Sequence, residues 1–119
     1  MNILVVDDSS AMRMMVVRTL RQAGFDAKNV DQAEDGLQAL DSIMKKVPDL
    51  VLADWNMPNM TGIELLRKLR EEKIGVDFGF ITTESTQEMR KVASEAGAKF
   101  LIAKPFTVES FQKVLNHFY

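Results

Sequence analysis

The sequence predicts an α/β domain: a five-stranded parallel sheet covered by helices on both faces. Two observations carry this. Short runs that are apolar at successive positions recur along the chain, and such runs mark strands buried on both sides. Stretches of helical periodicity separate them, so strand and helix alternate five times, the order that builds a doubly wound parallel sheet. At roughly 100 to 200 residues per domain, 119 residues suit one domain with one core.

The first strand is residues 3–6, and the periodic stretch 10–23 behind it is a helix that Gly24 can close. A weaker run, residues 27–33, is the second strand, and helix 35–46 ends before Pro48. The third strand, 50–53, precedes helix 62–72, and the fourth, 78–82, precedes helix 86–96, which Gly97 can close. The fifth pair is strand 100–103 and helix 107–118. Ser10 and Thr107 are candidate N-caps, with hydroxyls that can accept from unpaired amides. In the first helix Met12, Met15, Val16, Leu20 and Ala23 form the expected buried stripe. Met14 and Val17 fall among Arg13, Arg18 and Arg21 on the polar side. His117 has no partner at ligand spacing and reads as a surface residue.

Composition narrows the function. Fifteen basic and seventeen acidic residues leave a net charge of -2, without the basic footprint of a nucleic-acid-binding domain. The absence of cysteine excludes disulfides, thiolate metal sites and a cysteine nucleophile, and it suits a reducing compartment. No apolar run exceeds five residues, too short for a membrane span or a signal-peptide core, so a cytoplasmic protein is expected.

In an open parallel sheet, ligands bind beyond the carboxyl ends of the strands. There the sequence places Asp7 and Asp8 after the first strand, Asp54 after the third, Thr82 and Thr83 at the fourth and Lys104 after the fifth. Carboxylates about 4 Å apart repel by roughly 4 kcal/mol at an effective dielectric near 20, so three on one rim call for a cation. With oxygen donors only, that cation is a hard one, Mg²⁺ foremost. A metal beside a carboxylate, an ammonium and a hydroxyl suits phosphoryl transfer with the carboxylate as nucleophile.

Four segments, Val5-Val6-Asp7-Asp8-Ser9, Asp54-Trp55-Asn56-Met57-Pro58, Thr82-Thr83-Glu84 and Ala103-Lys104-Pro105-Phe106, resemble the receiver domain of bacterial two-component response regulators. Within that family the stand-alone chemotaxis regulators are the nearest in pattern. The resemblance spans the whole chain and implies a flavodoxin-like fold of strand order 2-1-3-4-5 with five helices. It implies that Asp54 accepts a phosphoryl group from a histidine kinase, and that Asp8 and Asp54 ligate Mg²⁺ directly. Asp7 would act through a metal-bound water, and the backbone carbonyl of Asn56 would supply a further oxygen. Lys104 would pair with Asp54 before transfer and with a phosphoryl oxygen afterwards. Thr82 would hydrogen-bond the phosphoryl group, and Thr83 would turn its amide to it. Met57, Pro58 and Gly62 suit the loop that shapes the site, and the Lys104-Pro105 bond is expected cis.

One position departs from the family. Three residues before the lysine, where an aromatic commonly serves as the switch, stands Leu101; neighbouring Phe100 must face the other side of its strand and is expected in core packing. The output implied is a phosphorylation-dependent affinity for a flagellar switch protein, with a phosphatase as a further partner. Met14 and Val17 on the first helix, beside the acidic rim, offer a contact for the kinase or the phosphatase, against the plainer reading of isolated exposed apolar residues. No nucleic acid or membrane is expected to bind, and the protein should be a monomer. It would be no enzyme beyond its own phosphorylation and dephosphorylation. The alternatives are a phosphorelay intermediate or regulator of a non-flagellar target, and, in another class, a small Mg²⁺-dependent aspartyl-phosphate phosphatase. That enzyme class carries a second aspartate two residues after a first-strand nucleophile, which Asp7-Asp8-Ser9-Ser10 lacks. A flavin module would need a Gly/Ser/Thr-rich loop after Val6, and none is present.

Overall fold

Successive strand residues face opposite sides of a sheet, so a run apolar at every position has to be covered twice. A computed structural model, which describes residues 1–119, shows the covering. Strands β1 (Asn2–Val6), β2 (Asn29–Ala33), β3 (Leu50–Ala53), β4 (Asp77–Thr82) and β5 (Phe100–Ala103) alternate with five helices. These are α1 (Ser10–Gln22), α2 (Gly36–Lys45), α3 (Gly62–Glu71), α4 (Gln87–Glu95) and α5 (Val108–Phe118). Every pairing is parallel, and the order is β2-β1-β3-β4-β5, the flavodoxin-like arrangement expected.

Strand parity sorts the core into two clusters. Leu4, Val6, Val51, Ala53, Phe78, Phe80 and Leu101 pack under α2, α3 and α4 with Ile43, Leu66, Leu69 and Ala93. Ile3, Val5, Leu50, Leu52, Ile81 and Ile102 pack under α1 and α5 with Val16, Leu20, Phe111 and Leu115. Each helix opens on a side-chain cap, from Ser9, Asp35, Thr61, Thr86 and Thr107 in turn. Predicted Thr107 is therefore confirmed. Ser10 is not the cap of α1: Ser9 has the extended backbone (φ -95°, ψ 116°) that lets its hydroxyl accept from the Met12 amide, and Ser10 is already helical. Gly24 and Gly97 follow α1 and α4 at φ +88° and +102°, a region that favours glycine.

The expected stripe of α1 needs one correction. Val16, Leu20 and Ala23 are buried, but Met15 is 50% exposed, and Arg13, expected on the polar side, is buried. The Arg13 guanidinium turns inward, donating from Nη1 to the Asp7 carbonyl at 2.6 Å and from Nε to Gln32 Oε1 at 2.9 Å. Met14 is exposed as expected, while Val17 packs partly against the core.

Candidate functional site

Backbone ladders run one residue past the strands and fix the site. The Asp7 amide donates to Ala33 O, the Asp54 amide to Val6 O and the Lys104 amide to Thr82 O, all within 3.1 Å. Three side chains from distant parts of the sequence thereby converge. Lys104 Nζ donates to Asp7 Oδ2 at 2.9 Å and to Asp54 Oδ2 at 3.0 Å, and these side chains are only 12%, 6% and 14% exposed. Burial works against the charged lysine, yet the two carboxylate bonds and charges outweigh it and hold its pKa above the ordinary value. The remaining oxygens meet amides: Asp7 Oδ1 accepts from Ser9, and Asp54 Oδ1 from Trp55 at 2.6 Å.

Asp8 is different. It is exposed, and its carboxylate takes part in none of these bonds. One oxygen from each of Asp7, Asp8 and Asp54 lies within 4.8 Å of the others. Three carboxylates against one ammonium leave an anionic surplus open to solvent on one side. A set of purely oxygen donors at this spacing fits a hard divalent cation and could hold one.

The rest of the rim frames that opening. Thr82 is fully buried, and its Oγ1 accepts the Glu84 amide at 3.1 Å, which leaves its own proton free to donate. Thr83 beside it is exposed. The Asn56 side chain donates to Glu84 Oε1 at 3.0 Å and bridges the β3 and β4 loops; sequence reading quoted Glu84 only within its motif and gave it no role, because nothing in chain order links 56 to 84. Trp55 packs on Phe80 with ring centroids 4.8 Å apart. Gly62 is required by close approach, since a Cβ there would collide with the Asp54 carbonyl, and its amide donates to Trp55 O at 2.9 Å. Asp35 accepts from the Gln38 amide and from Asn59, which lies at φ 68°, tying α2 to the loop after the site. The Lys104-Pro105 bond is cis. Leu101 lies on the Thr82 side of β5, in the core under α4. Phe100 faces the opposite cluster, lying over Gly79 and stacked on Phe118 at 5.8 Å.

The fold and this rim together define a receiver-type architecture, and comparison with known proteins agrees. Residues 3–116 match the response regulator receiver domain family, and the chain belongs to it. It is 42% identical over 118 residues to chemotaxis protein CheY-3 of Vibrio cholerae, covering 98% of this chain and 89% of that one. It is also 42% identical over 119 residues to the chemotaxis protein CheY homolog of Campylobacter jejuni, covering 98% and 90%. The structure of the chemotaxis response regulator CheY4 of Vibrio cholerae superposes with a TM-score of 0.85 at 34% identity, over 99% of this chain and 98% of that one.

Proposed function

We propose that this chain is a phosphorylation-controlled module of two-component signalling, with Asp54 as phosphoacceptor, a histidine kinase as donor and Mg²⁺ as cofactor. The observation that carries the reading is the convergence of Asp54 with Lys104 and with the ligand oxygens of Asp7 and Asp8. Mg²⁺ would be held by Asp8, Asp54 and the Asn56 carbonyl, with Asp7 reached through water, and when bound it supplies positive charge for the phosphoryl oxygens. In transfer, an Asp54 carboxylate oxygen bonds to phosphorus while the P–N bond of the donor's phosphohistidine breaks and the imidazole leaves. Lys104 then trades its Asp54 bond for a phosphoryl oxygen, Thr82 donates its hydroxyl proton to another, and the Thr83 amide faces the group. The chain acts on no external substrate; its output is affinity for a partner. The relatives' shared description as chemotaxis proteins supports a flagellar switch protein as that partner, working in the cytoplasm. No helix is long and apolar enough to cross a membrane.

The test is labelling by acetyl phosphate with Mg²⁺. The parent should gain a base-labile phosphate, and Asp54→Ala should gain none; equal labelling of the variant would remove Asp54 from its role.

One observation favours a second output, that of a phosphorelay intermediate. Leu101 offers neither ring nor hydroxyl to follow Thr82 toward the phosphoryl group, so the α4–β5–α5 surface should respond in a graded way. Adding beryllofluoride should shift NMR resonances strongly at Asp54, Thr82 and Lys104 and weakly from Arg90 to Phe111. Leu101→Tyr should enlarge the weak shifts. A complete two-state change in the parent would favour the switch-protein output.

A further inference from the structure

We infer that Arg13 is a positioning residue for the metal-ligating turn, acting on Asp8 through the Asp7–Asp8 peptide. The Asp7 amide makes the last ladder bond to β2, at Ala33 O. The strand ends there and Asp35 caps α2, so the Asp7 carbonyl has no strand partner. Arg13 Nη1 supplies one at 2.6 Å, and Gln32 Oε1, on Nε at 2.9 Å, sets the plane of the guanidinium. That carbonyl and the Asp8 amide share one planar peptide unit, so a bond that fixes the carbonyl also fixes the direction in which the chain enters Asp8. On the far side, the Ser9 amide is held by Asp7 Oδ1. Asp8 itself has no side-chain partner, so backbone alone aims its carboxylate at the metal position. A guanidinium beside an anionic rim can also act as a rival charge that weakens cation binding, and the two effects have opposite signs. Positioning is favoured because the guanidinium grips a neutral carbonyl and a neutral amide and bonds to none of the three carboxylates.

The inference rests on the Mg²⁺ reading above, and the experiment separates the two. Mg²⁺ affinity is measured by calorimetry and by Trp55 fluorescence, well below the melting temperature, for the parent, Arg13→Met, Arg13→Lys and Gln32→Leu. Arg13→Met should bind Mg²⁺ about 10-fold more weakly, the scale of outer partners that orient metal ligands. Arg13→Lys, which can still reach the carbonyl but not Gln32, should recover part of the loss. Gln32→Leu should weaken binding several-fold in the same direction. A merely structural role would lower the melting temperature and leave the affinity of the folded protein unmoved. Parent-like or tighter binding by Arg13→Met overturns the inference while the Mg²⁺ reading stands; a parent that binds no Mg²⁺ overturns both. Should Arg13→Met fail to fold, Gln32→Leu decides, and an unchanged affinity there overturns the inference.

Discussion

At the amino-terminal edge of the sheet Lys99 lies 3.1 Å from Asp77, and the Tyr119 hydroxyl donates to the same carboxylate at 2.5 Å. At the carboxyl edge Lys104 lies between two carboxylates, and a third carboxylate waits nearby. The first pair is about one-third exposed, at 34% and 35%, and its charges balance. The Tyr119 bond and Lys99 hold Asp77 below the usual carboxylate range despite burial, while burial and the Asp77 bond push the Tyr119 hydroxyl well above the usual range for tyrosine. It is a clip fastening α5 to the sheet. In the second group Lys104, Asp7 and Asp54 are more buried, Asp8 is exposed, and the charges do not balance. The contrast teaches that this fold balances its charges where only structure is at stake and leaves them unbalanced at the rim whose carboxylates could hold a cation.

Removing each lysine should break the contrast most plainly. Lys104→Met leaves two buried carboxylates unpaired, and in EDTA it should cost on the order of 3 kcal/mol of unfolding free energy, part of which Mg²⁺ restores. A buried carboxylate met by neutral donors gives the intermediate case. Asp35→Ala removes the α2 cap and the Asn59 bond and should cost about 1 kcal/mol, with no response to Mg²⁺. Hydrogen bonds from the Gln38 amide and Asn59 hold the folded Asp35 carboxyl below the usual carboxylate range, so its contribution is present above the unfolded pKa and lost as pH falls through the folded value. The difference between parent and Asp35→Asn in urea unfolding should accordingly shrink below pH about 4. Smallest is Lys99→Met, which should cost less than about 1 kcal/mol, and less still in high salt. An equal cost for Lys99→Met and Lys104→Met in EDTA would erase the distinction between the two edges.

Strand positions, order of elements and most rim residues were legible because a parallel sheet writes itself as doubly buried runs, and its ligand edge follows from the ends of those runs. What escaped needed partners distant in sequence. Periodicity set Arg13 on the polar side of α1, since a helical pattern cannot show that the Asp7 carbonyl lies within reach and lacks a strand partner. Met15 was assigned to the core by the same pattern and is half exposed. Ser9 and Ser10 are chemically equal caps, and only the backbone angle separates them. Lys104 was expected on Asp54 alone; its second bond, to Asp7, depends on β1 and β3 lying side by side in the sheet, although their register partners, such as Val6 and Ala53, are far apart in sequence.

The unpartnered carboxylate tests the open rim most directly. Thermal melting of the parent and of Asp8→Asn is compared in EDTA and in Mg²⁺. Neutralising Asp8 relieves repulsion worth about 1 kcal/mol, so in EDTA the variant should melt roughly 4 °C above the parent. Mg²⁺ should raise the parent's melting temperature and leave the variant's nearly unchanged, because a ligand stabilises only the fold that binds it. A variant that melts below the parent in EDTA, or that gains as much from Mg²⁺, would contradict a rim held short of one cation.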